Sequence, residues 1–261
     1  MSPAAAAIRW RSIVADVPVG GARNMSLDHA VAELNAPGRA VLRLYAWDPP
    51  TISFGRNEPT KGRYDLEAAG REGLGFVRRP TGGRAVLHRN EVTYCVVLPA
   101  RAFGGPREAY LRINEGLVRG LRSLGCAAEI VREGRVLPPH AGPCFQAPAP
   151  GEVVLAGRKL VGSAQVRVGE SILQHGSIIL GGDQGALARL TGRAGDPSPP
   201  ATVESAVGSV TWQAAAAALA EGMALALGGT WNEGDMTSGE DARARSLEAE
   251  RYTDEAWTWR R

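Results

Sequence analysis

The positions of apolar residues divide the chain into stretches with two different periods. Alternation of apolar and polar residues is typical of strands, whereas a spacing of three or four is typical of helices that pack on one side. The stretches that predict strands are IRWRSIVADV, AVLRLYAW, TISFGR, GLGFVRRP, AVLHRNEVTYCVVLP and AAEIVR. The stretches that predict helices are NMSLDHAVAELN, PREAYLRINEGLVRGLRSLG, WQAAAAALAEGMALALGG and SGEDARARSLEAERYTDEAW. Together they predict a mixed or antiparallel sheet with helices packed on it.

Residues at the ends of these stretches predict where the elements begin and end. The first strand is expected at the edge of the sheet. Asn24 or Ser26 is expected to cap the first helix, Pro106 to lie near the start of the second and Gly125 to stop it. A serine is expected to cap the last helix.

Proline and glycine concentrate between residues 134 and 150, which predicts a long loop. The stretch that follows, EVVLAGRKLVGSAQVRVGESILQHGSIIL, predicts a three-strand meander with turns at AGRK and VGES. With 261 residues the chain is long enough to bury a sizeable core. We expect one domain over residues 1–261, with a core from about residue 30 to about 230 and a helical tail from 231 to 261.

Composition narrows the class of protein. With 44% hydrophobic and 22% charged residues, the chain lies in the ordinary globular range. No apolar run reaches the roughly 18 residues needed to span a bilayer, so we expect a cytoplasmic protein that does not bind membranes. A net charge of +3 is too small to indicate binding to nucleic acid, although it does not oppose an acidic protein partner. Cys95, Cys126 and Cys144 lack CxxC spacing, which argues against a disulfide framework or a zinc site.

The stretch RRPTGGRAVLH is the first candidate binding segment. Gly82 and Gly83 permit a tight turn whose backbone N–H groups can face a ligand, and Arg78, Arg79 and Arg84 supply positive charge beside it. Paired glycines are equally typical of a simple hairpin with solvated arginines. The residues alone leave both interpretations open.

Cys144 is the one cysteine whose surroundings suggest chemistry. A lone cysteine is usually a small buried hydrophobe. Pro143 and Pro148, however, place Cys144 in a loop, and loops on rigid scaffolds often carry reacting groups. Cys95 lies within a strand pattern and Cys126 follows a helix stop, so we predict structural roles for both.

A nucleophilic thiol must be ionised near neutral pH, and a nearby ammonium group lowers its pKa by stabilising the thiolate. Lys159 is the lysine that the hairpin after the cysteine loop can bring back over Cys144. The alternative is a solvated turn lysine.

The four histidines do not form a metal pattern. His88 and His175 lie in or after predicted strands, where a base and a hydrogen-bonded structural histidine are equally good interpretations. His29 and His140 are expected to be structural or at the surface. No paired acids, HExxH or Walker A spacing are present, and we predict no metal site.

Three segments taken together, RRPTGGRAVLHRNEVTYCVV, GRKLVGSAQVR and LQHGSIIL, resemble in order and spacing the superfamily of lipoate ligases, octanoyltransferases and biotin ligases. The stretches NMSLDHAV, LRLYAWDPPTISFGR and AERYTDEAW extend the resemblance over nearly the whole chain. Within the superfamily, CFQAPAPGEVVLAGRKLVGSAQ is similar to the octanoyltransferases of the LipM type, which carry a cysteine just before this hairpin.

The resemblance implies an α/β (α+β) fold with a mixed central β-sheet flanked by helices, as in the catalytic domains of biotin and lipoate ligases. It implies transfer of octanoate, without ATP or another cofactor, from octanoyl-acyl carrier protein to a lysine of a lipoyl domain. The usual acceptor in that group is the H protein of the glycine cleavage system.

The resemblance also assigns roles to residues. Cys144 becomes the nucleophile that forms an octanoyl thioester, and Lys159 the group that lowers its pKa and helps to hold the acyl carbonyl. The residues that bind substrate or line its pocket are Arg79, Thr81, Gly82, Gly83, His88, Gly162, Ser163, Ala164, Gln165 and His175. Looser expectations are an apolar slot formed by Val86, Leu87 and Val161, and an acidic carrier protein oriented by Arg78, Arg79, Arg84 and Arg89.

Three other functions fit parts of the pattern. An ATP-dependent lipoate-protein ligase shares the TGG, GRK and HGS segments and needs no cysteine. An amidotransferase that moves the acyl group between lipoyl domains also uses a loop cysteine, but tends to lack the pattern at Gln174 to Ser177. A non-catalytic binder of the carrier protein or lipoyl domain has no need of both Cys144 and Lys159.

Overall fold

The computed structural model describes residues 8–131, 150–182, 185–192 and 199–260. The strands in these ranges are β1 (Arg9–Val19), β2 (Arg39–Trp47), β3 (Thr51–Phe54), β4 (Gly75–Arg78), β5 (Val86–His88), β6 (Glu91–Pro99), β7 (Ala128–Ile130), β8 (Val153–Leu155), β9 (Arg158–Lys159), β10 (Val161–Val168), β11 (Ser171–Ile179) and β12 (Thr230–Glu233). The helices are α1 (Gly21–Leu34), α2 (Leu66–Arg71), α3 (Pro106–Ser123), α4 (Ala186–Leu190), α5 (Val203–Val207), α6 (Trp212–Leu227), α7 (Ser238–Leu247) and α8 (Glu255–Thr258). A π-helical turn, Glu248–Tyr252, continues α7.

The largest sheet has six strands in the order β10-β11-β6-β2-β1-β12. Strand β1 pairs in parallel with both β2 and β12, whereas the other pairs are antiparallel. The sheet is therefore mixed, as predicted. The prediction that the first strand lies at the edge is wrong, because the short strand β12 pairs with β1 and itself forms the edge.

Helices cover both faces of this sheet, as expected from the resemblance. On one face, α3 and α6 bury apolar side chains such as Leu117 and Met223 against Leu44 of β2. On the other face, α1 and α7 contribute Val31 and Leu247 to a second apolar cluster. Burial of each fully enclosed aliphatic side chain stabilises the fold by about 1.5–3 kcal/mol relative to exposure.

Two smaller sheets carry the segments that the sequence singled out. The first has the order β4-β3-β5 and the second the order β7-β8-β9. The glycine segment between β4 and β5 is therefore not a hairpin turn, since both strands pair with β3 and not with each other. The predicted meander is likewise divided, because β8 and β9 belong to the second small sheet while β10 and β11 end the large one. The stretch AAEIVR also pairs with β8 in that small sheet.

The predicted helix ends are partly right. Helix α3 begins at Pro106, and Gly125 adopts a φ of +91° just after it ends. Helix α1 begins earlier than predicted, at Gly21, directly after β1. Asn24 is consequently inside the helix and donates its side-chain amide to the carbonyls of Val19 and Ala46, so it is not the cap.

The remaining caps correct two further predictions. Ser26 donates its hydroxyl to the carbonyl of Arg23 and does not cap α1. The last long helix is capped by Thr237, whose hydroxyl accepts from Glu240 N–H while the Glu240 carboxylate accepts from Thr237 N–H. In the part of the chain that the structure describes, no helix has the length and apolarity needed to cross a membrane.

Candidate active site

A narrow pocket lies between the small sheet β4-β3-β5 and the α1 side of the large sheet, toward its β10 edge. Its empty space, including the open mouth, is about 420 Å³. Most of its surface is apolar. The residues that line it are Met25, Tyr45, Trp47, Ser53, Arg79, Gly83, Val86, His88, Thr93, Gly162, Ser163, Ala164, His175, Gly176 and Ser177. Three segments that are far apart in the sequence, TGGR, LVGSAQ and QHGS, therefore meet in one pocket.

Arg79 holds the glycine segment in place from inside the protein. Its guanidinium donates to the carbonyls of Gly82 and Arg84 at 2.8 Å each and to the carbonyl and hydroxyl of Ser53. Gly83 has a φ of +92°, a conformation that favours glycine. Arg79 is only 5% exposed, so the predicted docking of a carrier protein by this side chain is wrong.

Thr81, beside the glycines, begins a buried hydrogen-bonded network. Its hydroxyl lies 2.7 Å from Nε2 of His175, whose Nδ1 lies 3.0 Å from the carboxylate of Asp28. Arg43 and Tyr45 also donate to that carboxylate. Because Nδ1 faces a carboxylate it carries the proton, and Nε2 accepts from Thr81. His175 is thus held in one tautomer by elements that only tertiary folding brings together.

The electrostatics of this network favour a charged aspartate and a neutral histidine. Burial by itself raises the pKa of Asp28, but the hydrogen bond from His175 and the charge of Arg43 together hold this pKa below its usual value. Burial also lowers the pKa of His175, and Asp28 opposes this only in part. The imidazole of His175 is therefore neutral, and its two hydrogen bonds hold it in one orientation in the pocket wall.

His88 is held by a second network of the same kind. Its Nδ1 lies 2.7 Å from the carboxylate of Glu91, and its Nε2 lies 2.7 Å from the hydroxyl of Ser53. Ser177 donates to the same carboxylate. The ring of Trp47 stacks on the imidazole, with 4.0 Å between the ring centroids. Two histidines thus stand in the pocket wall, each oriented by a carboxylate on one side and a hydroxyl on the other.

A third network lies on the α3 side of the large sheet, opposite His175 and Ser177, where Ser163 accepts a hydrogen bond of 2.8 Å from the hydroxyl of Tyr94. Gln174 donates to the Tyr94 oxygen at 2.9 Å, and Gln165 donates to the side-chain oxygen of Gln174 at 3.1 Å. Gln165 also donates to the carbonyl of Pro106 at the start of α3, and it is not among the residues that line the pocket.

Lys159 is buried and paired. Its ammonium lies 2.6 Å from the carboxylate of Glu152, and only 2% of its side chain is exposed. The interpretation of Lys159 as a solvated turn lysine is therefore wrong. It lies on β9, and β10 begins two residues later and carries Gly162, Ser163 and Ala164 into the pocket.

Cys144 and His140 lie outside the described residues. Val131 and Gly151, on either side of that segment, are hydrogen-bonded to each other at 2.8 Å. Cys95 and Cys126 are both buried, and burial raises the pKa of each thiol, as expected for structural cysteines.

The arginines expected to orient a carrier protein separate into two groups. Arg78 is fully buried and donates to backbone carbonyls of the C-terminal segment, including those of Trp257 and Thr258. Its predicted docking role is therefore wrong, as it is for Arg79. Arg84 and Arg89 are half-buried, and Arg89 lies 3.7 Å from Glu72.

The apolar slot was predicted only in part. Val86 lines the pocket, but Leu87 and Val161 pack into apolar clusters and are not among the residues that line the pocket.

Sequence reasoning missed the buried polar residues that hydrogen-bond, directly or through one another, to residues of the pocket lining. Asp28, Glu91, Tyr94 and Gln174 are at most 4% exposed. For the last three, which lie on strands, a polar residue inside an otherwise apolar strand is a usable signal, since its burial is costly without a partner. Asp28 lies on α1 and gives no such signal. Among the described residues, no group of three or more His, Cys, Asp or Glu side chains is arranged to hold a metal ion.

Known proteins resemble this chain in both amino-acid sequence and fold. The lipoyl protein ligase A/B catalytic domain profile matches residues 21–223. The chain belongs to this family. An octanoyltransferase LipM of Kyrpidia tusciae is 44% identical over 259 residues, which cover 91% of this chain and 94% of that one. An octanoyltransferase LipM of Symbiobacterium thermophilum is 37% identical, covering 92% and 95%.

Two solved structures from the lipoyl protein ligase family confirm the fold. A lipoate-protein ligase A bound with ATP superposes with a TM-score of 0.82 at 23% identity, covering 97% of this chain and 99% of that one. The bi-partite lipoate protein ligase of Thermoplasma acidophilum gives 0.78 at 21% identity, covering 97% and 96%. At these identities the likeness concerns the fold alone. The predicted fold class and the predicted LipM-type family are both confirmed, and LipM membership makes the protein a transferase.

Proposed function

We propose that this protein is an octanoyltransferase of lipoate biosynthesis. Octanoate moves from octanoyl-acyl carrier protein, through a thioester on Cys144, to a lysine of a lipoyl domain. The acceptor that we expect is the H protein of the glycine cleavage system, and the chain acts as a single catalytic domain.

The observation that carries the proposal is the meeting of the TGGR, LVGSAQ and QHGS segments in one narrow, mostly apolar pocket. A narrow apolar pocket suits an unbranched acyl chain, and backbone amides at its rim suit a carbonyl. The LipM relatives that cover most of this chain are named octanoyltransferases, which supports the acyl group chosen. A lipoyl domain as acceptor is supported by the structural relative from Thermoplasma acidophilum, which is described together with its E2 lipoyl domain.

The reaction has two steps with similar chemistry. In the first, the thiolate of Cys144 attacks the donor thioester, and the carrier thiolate leaves. In the second, the acceptor amine attacks the stored thioester, and the Cys144 sulfur leaves. Because one thioester is exchanged for another, the first step needs no ATP.

The described residues have distinct roles in this scheme. Lys159 lies on the strand just before the pocket and stabilises the Cys144 thiolate. The backbone amides of Gly82, Gly83 and Gly162 to Ala164 stabilise the developing oxyanion. His88 and His175, each held by a carboxylate, keep the pocket walls in place around the acyl chain.

The experiment that tests the proposal is intact-mass analysis after mixing the protein with octanoyl-acyl carrier protein in the absence of ATP. The wild type should gain one octanoyl group that hydroxylamine removes, and Cys144→Ala should gain none. Cys126→Ala is the matched control, because this thiol is 1% exposed and packs in the core, and it should acylate like the wild type.

The competing function is ATP-dependent lipoate ligation. It predicts no octanoyl-protein adduct without ATP, and ATP-dependent modification of a lipoyl domain that survives Cys144→Ser. That combination of results would exclude the octanoyltransferase proposal.

A further inference from the structure

Trp47 and His88 line two different cavities. One is the narrow pocket described above, and the other has an empty space of about 680 Å³, including its open mouth. The second cavity lies where β1 and β2 end and β6 begins, and Ala46, Asn90 and Trp212 are among the other residues that line it. We call it the strand-end cavity. The rings of Trp47 and His88 stack with 4.0 Å between their centroids, at the place where the two cavities adjoin.

Strand alternation places both rings inside the narrow pocket. Tyr45 and Thr93 pair in register on the large sheet, and both line the pocket. Trp47 follows Tyr45 by two positions on β2 and therefore faces the same way, and its Nε1 donates to the Thr93 hydroxyl at 2.7 Å. On the small sheet, His88 follows Val86 by two positions on β5, and both line the pocket. The stacked rings thus come from opposite walls and meet.

A closed ring of contacts holds the stacked pair in place. Trp47 donates to the hydroxyl of Thr93, and Thr93 donates to the carboxylate of Glu91. The same carboxylate lies 2.7 Å from Nδ1 of His88, whose stacking on Trp47 closes the ring of contacts. Trp47 is 9% exposed and His88 is 6% exposed. Packed side chains that are also hydrogen-bonded yield little, so this wall can stop a chain at a defined length.

The pocket runs across four neighbouring strands of the large sheet. Gly162 lines it on β10, His175 on β11, Thr93 on β6 and Tyr45 on β2. Three strand spacings span about 14 Å. In the function proposed above, the acyl carbonyl lies at the backbone amides of β10 and of the glycine segment. The far end of the acyl chain therefore points toward β2 and Trp47.

An octanoyl chain has the length that this distance allows. The three backbone bonds of one extended residue advance about 3.3–3.6 Å, so the seven carbon–carbon bonds of an extended octanoyl group advance about 8 Å. The side chains of Tyr45 and Trp47 take up the rest of the distance to β2. By the same measure, the eleven bonds of a dodecanoyl group advance about 13 Å, which requires the space that the Trp47 ring occupies.

We propose that the stacked rings of Trp47 and His88 are the wall that limits the acyl chain to about eight carbons, and that removal of the Trp47 ring opens the strand-end cavity to longer chains. The proposal rests on the octanoyl transfer described above and names the residue that sets its chain length.

Tyr45 does not have the same position. It lines the pocket, but its hydroxyl donates to Asp28 inside the protein, and it is not among the described residues that line the strand-end cavity. Loss of its ring would enlarge the pocket only by the volume of that ring. Trp47 is therefore the residue whose loss connects the two cavities.

Binding of S-acyl-pantetheines with six, eight, ten and twelve acyl carbons, measured by calorimetry, gives a chain-length profile. The Cys144→Ala protein is used, so that the acyl group is not transferred. Each methylene group that is buried contributes about 0.8 kcal/mol, or about four-fold in affinity. Affinity should therefore rise about 16-fold from six to eight carbons and fall at ten and twelve. With Trp47→Leu added, it should continue to rise to twelve. A folded Trp47→Leu protein that keeps the original profile overturns the proposal.

Two further variants guard against a general loss of structure. Trp47→Phe keeps a ring that can stack on His88, and it should admit ten carbons but not twelve. It tests the proposal even if Trp47→Leu does not fold, and a Trp47→Phe profile that still falls at ten carbons contradicts it. Trp231→Leu is the matched control, because Trp231 also stacks, on Trp10 with 4.5 Å between centroids, and is not among the described residues that line either cavity. It should keep the original profile.

Filling the strand-end cavity tests whether the longer chain enters it. Ala46 lines this cavity, so Ala46→Leu reduces its space. In the Trp47→Leu background, Ala46→Leu should remove the gain in affinity for twelve carbons and keep the gain for ten. A gain for twelve carbons that survives Ala46→Leu contradicts the role of the strand-end cavity.

Competition between donors gives a second readout, with Cys144 intact. After mixing with equal amounts of octanoyl- and dodecanoyl-acyl carrier protein without ATP, the wild type should carry the octanoyl mass, and Trp47→Leu should carry both masses. A Trp47→Leu protein that carries octanoyl alone contradicts the proposal. Absence of any adduct on the wild type would instead refute the transferase function, while the binding profile would still decide the role of Trp47, so the two failures are distinguishable.

Discussion

The ammonium of Lys159 lies 2.6 Å from the carboxylate of Glu152, in a pair whose side chains are 2% and 13% exposed. Both residues belong to the region of β8 and β9, next to the strand that enters the pocket. A buried pair of this kind is costly to break, because the remaining charge loses its compensation, by about 3–5 kcal/mol. Glu152 therefore contributes to holding the Lys159 ammonium in place.

Removal of the Lys159 charge should slow alkylation of Cys144. Without the ammonium the thiolate is less stable, so the pH midpoint of iodoacetamide alkylation, followed by mass at Cys144, should rise. Lys159→Met alone leaves Glu152 buried without this partner. The double variant Lys159→Met/Glu152→Gln removes both charges and separates loss of the ammonium from loss of stability.

Two results decide the role of Lys159. A raised alkylation midpoint in both the single and the double variant supports its action on the thiol. An unchanged midpoint in a folded double variant contradicts it. Arg71→Met, which removes an exposed ion pair with Glu67, serves as the surface control.

The glycine segment should respond very differently to two neighbouring substitutions. A Cβ on Gly82 meets nothing within 4 Å, whereas Gly83 has a φ of +92° and Gly55 packs directly against the Gly83 carbonyl. Gly82→Ala should therefore leave acylation nearly unchanged. Gly83→Ala should cost about 1 kcal/mol or more of backbone strain, and Gly55→Ala should displace the segment.

Urea unfolding and single-turnover acylation measure these effects. We expect the ranking Gly82→Ala, Gly83→Ala, Gly55→Ala in order of increasing loss. If Gly82→Ala were as damaging as Gly55→Ala, the packing of the segment on Gly55 would not be its main constraint.

Stability should fall as the pH is lowered from 7 to 5. Burial lowers the pKa of both His29 and His175 below the usual value of 6.5, so below that pH the unfolded chain binds more protons than the native protein. Unfolding is therefore favoured by acid, with a slope of up to about 1.4 kcal/mol per pH unit for each histidine. The low pKa of Asp28 adds a further loss only at more acidic pH.

Urea midpoints at several pH values test this linkage. His175→Gln keeps a donor for Asp28 and an acceptor for Thr81, and with His29→Gln it should flatten the pH dependence between 7 and 5. A double variant whose stability falls as steeply as that of the wild type would assign the linkage to other groups.

Much of the architecture could be predicted from local pattern. The 18 residues of α3 and the 16 of α6 have clear helical signals with a proline start or a glycine stop, and both were predicted closely. Strands β2, β6 and β10 were visible from their apolar runs. Short elements were not predicted, because they contain too few residues to show a period. Strand β12 has four residues, all exposed or half-exposed, and α2, α4 and α5 each have six residues or fewer.

For the candidate site, too, some features could be predicted from the sequence and others could not. Local sequence identified the residues with distinctive chemistry, including Gly83, His88, Ser163 and His175, which all line the pocket. It could not separate buried from solvated side chains, so Arg78 and Arg79 were assigned to the surface and Lys159 was left open. Their burial depends on neighbours supplied by distant segments.

The sequence by itself determined the periodic elements and the residue types available for chemistry, because periodicity and capping are properties of neighbouring residues. Only the tertiary structure decided which side chains share a hydrogen bond. Asp28 and His175 are separated by 147 positions, and Tyr94 and Ser163 by 69. Their contacts depend on strand order and register, which are set when whole faces of the sheet are buried against helices.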